Sequence, residues 1–266
     1  AEGYLYGLKR WPGKRKSAGD TYMAWKDGQE RGNLMKFGII CAGDSEAEPF
    51  LSLLHETNVT EKAMLTCHEG TIENLPVVVL FSGVCKVNAA IAAQILIDTF
   101  QCDHIINGGT AGGMDESVQI LDTVVATETA YHDVEESILT EFHPWMPSIF
   151  MSSDPDLLEL AHKAAEKLKD SHHTRFGRMV TGEQFIVDEN RDRINQTYGP
   201  LSVDMETAAI AHVCYVNRIP FIAVRTITDT AKHSGEENFE LNCSRASQRS
   251  ADFVKMMLAL SLSDQH

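Results

Sequence analysis

Apolar positions along the chain fall into two alternating patterns. Short, dense runs suited to buried strands cover 36–41, 77–82, 104–108, 123–131, 176–187 and 221–228. Between them, apolar residues recur at helical spacing over 46–55, 86–100, 155–169, 206–217 and 239–262. In 86–100, for instance, Ala89, Ala92, Ala93, Leu96 and Phe100 fall on one face of a 3.6-residue helix. Strands and helices taken in turn predict an α/β fold: a single-domain, three-layer α/β/α body with a mostly parallel sheet covered on both faces.

Glycine-rich turns follow several of these strands, at Gly83, at Gly108-Gly109-Thr110-Ala111-Gly112-Gly113 and at Gly182. Ligands of open α/β sheets bind at the carboxyl ends of the strands, so a site is expected where these turns gather. Residues 1–34 carry neither periodicity. They are rich in Gly, Lys, Arg and aromatics, stop at Met35-Lys36-Phe37-Gly38-Ile39-Ile40, and read as a disordered leader or a cloning remnant. A basic binding tail is the alternative. The folded domain is expected over 35–266.

Composition narrows the class. With 266 residues, 43% hydrophobic and 23% charged, the chain can bury a sizeable core and resembles ordinary globular proteins. Its formal charge is −15, and the leader holds seven Lys/Arg against four Asp/Glu, so the remaining body is more acidic still. Such a surface repels phosphate backbones, which argues against nucleic acid as a partner and leaves small neutral or zwitterionic molecules. None of the six cysteines forms a CxxC pair, and most lie in apolar runs, so buried free thiols are expected over disulfides. No run approaches the roughly 18 apolar residues of a membrane span, and no signal-peptide core is visible. A cytoplasmic protein without membrane attachment is expected.

Four segments could carry chemistry. Asn107-Gly108-Gly109-Thr110-Ala111-Gly112-Gly113 lets a ligand approach the backbone, but lacks GxGxxG spacing and the GK[ST] ending of a phosphate loop, and a tight structural turn is the plain alternative. Ser202-Val203-Asp204-Met205-Glu206-Thr207 sets two acids at a strand-to-helix junction, where a helix cap would explain them equally. Arg225-Thr226-Ile227-Thr228-Asp229-Thr230 ends an apolar strand, and Arg225 with Asp229 could be a simple ion pair. Cys41-Ala42-Gly43-Asp44-Ser45-Glu46-Ala47-Glu48 enters a helix with acids that favour the helix dipole and repel phosphate. His132, His143 and the His172-His173 pair show no HxH or HExxH spacing, so neither a metal nor another cofactor is called for.

Taken together, MKFGII, SGVCKVNAAIAA, HIINGGTAGG, TETAYHD, TGEQFI, VDMETAAIAHVC and VRTITDTA occur in one order between Met35 and about Leu260. In this the body resembles the bacterial 5′-methylthioadenosine/S-adenosylhomocysteine nucleosidases of the purine and uridine phosphorylase superfamily. The resemblance implies a twisted, mixed central sheet of the nucleoside phosphorylase type and a homodimer. It implies hydrolysis of the N-glycosidic bond, with 5′-deoxyadenosine or an aminofutalosine as related substrates. Glu46 matches the acid that activates water, Asp229 the general acid at adenine N7, and Glu206 the carboxylate that holds the ribose hydroxyls. Phe185 matches the ring stacked on the base, the Ile186 backbone its edge reader, and Thr228 the hydroxyl assisting the Asp. Met205 and Phe239 would line the ribose and 5′-thioalkyl pocket, with Thr110 near the water; Ala111, Gly112 and Arg225 join the substrate-binding set.

The chemistry asks for such groups independently. Cleaving C1′–N9 builds positive charge on the sugar and negative charge on the purine, which calls for a proton donor at N7 and an anion beside the ribosyl cation.

Two departures bear on the 5′ end: Gly43 stands where the family usually has Met, and the loop after Asp133 reads VEESILTEFHPWMPSIF without the usual Gly-Tyr and Pro-Gly elements. In relatives that loop crosses a dimer interface to close the thioalkyl pocket. A third, Asp204 where the family has Glu, is a tolerable change at a position that is not a first-choice catalytic one. The alternatives to hydrolysis are a phosphate-dependent purine nucleoside phosphorylase and a nucleoside-binding protein without turnover.

Overall fold

The computed structural model describes residues 34–169, 173–186, 188–233 and 235–263. The leader expected over 1–34, apart from Leu34, lies outside the described residues, as does His172.

Four parallel strands form the spine. In β1 (Phe37–Cys41) every residue is buried, as expected of a strand covered on both faces. It pairs in parallel with β4 (Leu75–Phe81) on one side and β5 (His104–Gly113) on the other, and β5 pairs in parallel with β10 (Phe221–Asp229). Antiparallel strands are added at both margins. The meander β4, β3 (Leu65–Ile72) and β2 (His55–Lys62) extends one edge. At the other, β10 pairs antiparallel with β6 (Thr123–Tyr131), β6 runs parallel to β8 (Thr174–Thr181), and β8 to β9 (Ser202–Asp204), which returns antiparallel to β5. The path β5-β10-β6-β8-β9-β5 therefore closes on itself, and the two-residue β7 (Met151–Ser152) pairs with β6 outside that ring.

Helices cover both faces. On one lie α2 (Lys86–Asp98) and α6 (Thr207–Asn217), tied by Asn217 Nδ2 donating to Gln94 Oε1 at 2.9 Å. The face read from the sequence of α2 is the buried one: Ala89, Ala92, Ala93 and Leu96 reach Ile40, Val78 and Ile105 in one core. On the other lie α1 (Asp44–Leu53), α4 (Pro155–Lys167) and α7 (Glu236–Ser263), whose Phe50, Ala161 and Phe253 share a second core with Phe37, Ile39 and Ile106. The alternation of Ile39 and Ile40 between two cores is the period-2 signature of a strand buried on both sides. Local chemistry sets the helix start at α4, where Asp154 accepts from Asp156 N and Leu157 N and Pro155 occupies the first turn.

Several elements differ from expectation. The strand read over 176–187 runs instead over Thr174–Thr181, and at Gly182, just past its end, only glycine fits, since a Cβ would lie 2.2 Å from His132 Nε2. The residues beyond it lead into α5 (Asp188–Tyr198), whose DENRDRINQTY holds too few apolar positions to show a period. The β2–β3 hairpin escaped notice for two reasons. Nearly all of HETNVTEK is exposed, and the turn is made by Ala63 and Met64 at φ 51° and 63° rather than by Gly or Asn. The short α3 (Glu136–Glu141) was likewise not expected.

Candidate active site

β5 is paired with β10 along its length but loses its partner on the other edge. β1 leaves it at Asn107 and β9 joins it only at Gly112. In the interval, backbone groups of β5 bond side chains: Gly109 N donates to Ser250 Oγ at 3.0 Å, and Thr110 N to Glu46 Oε1 at 2.7 Å. This gap, at the carboxyl end of β1, is the crevice that the fold class calls for.

Glu46 fills it from the first turn of α1. Its Oε1 also accepts from Thr110 Oγ1 at 2.5 Å, and its Oε2 from Ala42 N at 2.7 Å and Gly43 N at 3.4 Å. Four donors thus orient one carboxyl that is 4% exposed. Gly109 makes room for it: at φ 130°, its Cβ would stand 2.6 Å from the Glu46 carboxyl carbon. At Gly43 the opposite holds, since a Cβ there would meet nothing within 4 Å.

Glu206 enters from the far side, at the start of α6. Its Oε1 accepts from Cys85 N at 2.9 Å and its Oε2 from Arg225 Nη2 at 3.1 Å. Burial pushes its pKa up to about 7, with Asp204 and Glu46 adding to the rise and Arg225 and the Cys85 N–H opposing it. Cys85 donates that bond from φ 82°, ψ 163°, a conformation all but confined to glycine.

Arg225 joins the two acids. At 1% exposure, its Nη1 donates to Thr110 O at 2.8 Å and its Nε to Asn107 Oδ1 at 3.1 Å. Asp204 Oδ2 lies 3.4 Å and Glu46 Oε1 3.7 Å from the guanidinium. Burial disfavours the charge, yet Asp204, Glu46 and Glu206 outweigh it and hold the pKa above its ordinary value. The simple Arg225–Asp229 pair is thus replaced: Arg225 serves three other carboxylates, behind the site rather than in its mouth.

Asp229 is placed by an irregularity. Ile227 pairs with Ala111 and Asp229 with Gly112, leaving Thr228 as the extra residue of a bulge. Bulges re-aim side chains at strand ends, and here Thr228 Oγ1 donates to Asp229 Oδ1 at 2.9 Å. Asp229 is 2% exposed, and burial raises its pKa against the opposing effects of that hydrogen bond and of Arg191. Glu46 is anchored at Thr110 and Asp229 against Gly112, two residues on, which sets their anchor points about 7 Å apart along β5.

The remaining expected residues frame this group. Met205 lies between Asp204 and Glu206, half-buried. Phe239 is half-buried in the first turn of α7, where Asn242 Nδ2 donates to Thr228 O at 3.0 Å. Ile186 packs with Met114, Val180, Ile194 and Val203, while Phe185 is 45% exposed. Their segment is held by Asp133 Oδ2, which accepts from Glu183 N at 2.9 Å, and it flanks a cavity of about 220 Å³ lined in part by Ile186 and His132.

Sequence reasoning missed Asn107, which bridges Ile40 O, Thr207 Oγ1 and Arg225 Nε. The sequence marks Asp204 only as an acid standing where the family has Glu; in the fold it accepts from Thr181 Oγ1, Glu206 N and Thr207 N and so aims Glu206. A polar Asn inside the apolar run HIIN was the available signal for the first. All six cysteines are unpaired, five of them buried. His173 Nδ1 lies 3.0 Å from Asp122 Oδ1, a partner within its own strand cluster. Among the described residues, no helix is long and apolar enough to cross a membrane.

A mixed sheet with helices on both faces and buried acids gathered at the end of its central strand accord with the family profile that matches residues 36–259, that of the Phosphorylase superfamily, and the chain is a protein of that class. A 5′-methylthioadenosine/S-adenosylhomocysteine nucleosidase of Exiguobacterium sp. is 37% identical over 225 residues, covering 83% of this chain and 96% of that one. The chain belongs to that nucleosidase family. Among solved structures, the Neisseria meningitidis nucleosidase in complex with methylthio-immucillin-A superposes with TM-score 0.79 at 29% identity, over 85% of this chain and 100% of that one. The futalosine hydrolase of Helicobacter pylori superposes with TM-score 0.77 at 26% identity, over 85% and 97%.

Proposed function

We propose that this chain is an N-glycosidase that hydrolyses 5′-methylthioadenosine and S-adenosylhomocysteine to adenine and the 5′-substituted ribose. The observation that carries this reading is the gathering of three buried carboxyls at the end of β5: Glu46 bonded to Thr110, Asp229 beside Gly112, and Glu206 joined to Glu46 through Arg225.

Each group then has one task. Asp229, whose carboxyl burial favours in the protonated form, gives its proton to adenine N7 as the C1′–N9 electron pair moves into the purine. Glu206, braced by Arg225, accepts hydrogen bonds from the ribose hydroxyls and faces the cationic sugar. Glu46 takes a proton from the water whose oxygen bonds to C1′, with Thr110 beside it. Arg225, Asn107 and Asp204 act through these acids. Ala111, Gly112, Phe185, Ile186, Met205, Thr228 and Phe239 form the base and ribose walls. The six unpaired thiols support a reducing, cytoplasmic setting.

A homodimer is part of this reading. Val84 in the turn before α2, Val87 and Ile91 on α2, and Tyr215 and Val216 on α6 leave apolar side chains exposed on and beside two helices packed together. A second copy of the chain, related by a two-fold axis, would cover them.

The deciding experiment is adenine release from a panel of 5′-substituted adenosines, with analysis of the sugar product and Asp229→Asn as control. Free sugar formed without phosphate, and a fall of about 10² or more in the variant, are expected. Strict phosphate dependence would establish a phosphorylase. Tight binding with no adenine released over hours would establish a binding protein. The futalosine hydrolase likeness and the open space at Gly43 make 6-amino-6-deoxyfutalosine a member of that panel.

A further inference from the structure

Arg191, on α5, carries a charge that the scheme above leaves without a task. Its side chain is 4% exposed. Nη1 donates to Gly113 O and lies 3.3 Å from Met114 Sδ, while Asn195, one turn on, donates to Met114 O at 3.1 Å. The helix is thereby fastened to the end of β5 at two levels. Nε and Nη2 are buried and have no partner among the described residues. A guanidinium in such a position is costly unless an anion stands close by.

Asp229 is the acid at that strand end, and it becomes an anion once its proton has left. A Cβ on Gly112 would lie 3.2 Å from Asp229 Oδ2, and one on Gly113, the residue Arg191 grips, 3.3 Å from Asp229 O. It is also the one acid of the three that Arg225 does not serve.

We propose that Arg191 is the positioning residue of the general acid, its guanidinium stabilising the carboxylate that Asp229 becomes once its proton has gone to adenine. This rests on the reading of Asp229 given under Proposed function. When the proton leaves Oδ for N7 and the C1′–N9 pair enters the purine, a full negative charge is left in a site closed to water. Without a nearby cation the acid would hold its proton too tightly to give it up. The electrostatics run the same way: burial raises the Asp229 pKa, and Thr228 and Arg191 pull it back. Among the described residues, the other groups around Asp229 are neutral on β10 (Thr228) and on β5 (Gly112, Gly113), and α7 contributes Asn242, which donates to Thr228 O. The Glu46–Arg225–Glu206 cluster lies two β5 residues away, and Lys232, His233, Glu236 and Glu237 belong to the exposed turn after β10 and start of α7.

The test is the pH profile of kcat and kcat/KM for adenine release in wild type, Arg191→Gln, Arg191→Met and Arg191→Lys, with folding checked by circular dichroism. If Arg191 tunes the acid, the basic limb moves up by about one pH unit in both neutral variants, kcat at the plateau falls by roughly tenfold, and Arg191→Lys restores the wild-type limb. A wild-type limb in either folded neutral variant overturns the proposal. So does failure of both to fold, since the guanidinium would then serve to hold α5. Full activity in Asp229→Asn would instead sink the reading of the acid itself, while an inactive Asp229→Asn beside an unmoved Arg191→Gln limb sinks only the present inference.

Discussion

Two residues at the site carry a cost to stability that substitution should expose. Cys85 pays for its hydrogen bond to Glu206 with a backbone conformation worth about 1–3 kcal/mol of strain in any residue but glycine. In Cys85→Gly that strain disappears, offset by the larger entropy of glycine in the unfolded chain, about 0.5–1 kcal/mol. A net gain on the order of 1 kcal/mol, or a rise of about 2–4 °C in Tm, is expected in a thermal melt. Glu206 is the second case. Its pKa of about 7 in the fold lies above the 4.5 of a free glutamate, so the folded state holds more protons between those values and stability falls as pH rises through that window. Glu206→Gln should accordingly melt higher relative to wild type at pH 8 than at pH 5, while losing most of its rate of adenine release. Equal Tm differences at the two pH values would remove the electrostatic cost assigned to this carboxyl.

At the scale of elements, the interval in β5 between its β1 and β9 partners decides what surrounds the acids. Gly109→Ala would press a methyl group into the Glu46 carboxyl from a backbone at φ 130°, so kcat should drop by about 10² or more even where the protein folds. Ser250→Ala would instead leave the Gly109 N–H without its acceptor, costing about 1–3 kcal/mol in denaturant unfolding, with a much smaller effect on kcat. How much of this was legible in the sequence follows from the range of each interaction. β1, β5, β6 and β10 announced themselves through continuous apolar runs; Glu46 and Asp229 stood at the ends of such runs and Glu206 at the head of an apolar helix, where caps or an ion pair explained them equally until the family resemblance singled them out. The bulge at Thr228 and the three-residue β9 did not, because both are fixed by pairing with β5 across more than 80 residues of chain. Arg225 was legible as a residue and not as a partner: its three carboxylates come from α1, β9 and the start of α6. The close approach at Gly182 was hidden in the same way, since the group that leaves no room for a side chain there is His132, just past the end of β6.

For the whole molecule, association and stability should be linked. If the outer faces of α2 and α6 meet their equals in a second copy, Val87→Glu places two charges in an apolar contact, and light scattering should find monomers where the wild type gives dimers. Wild-type Tm should also rise with protein concentration, as it must when assembly stabilises the fold. A wild-type monomer at assay concentrations with undiminished turnover would end that reading. The closed path of β5, β10, β6, β8 and β9 has a separate consequence. A sheet that bites its own tail has no free rim on that side, so the long open rim is β2, whose Glu56, Glu61 and Lys62 stand in solvent. Charged, polar rims discourage strands of neighbouring molecules from docking onto them, and the chain is thereby guarded against growing into fibrils at the margin where it is most open to it.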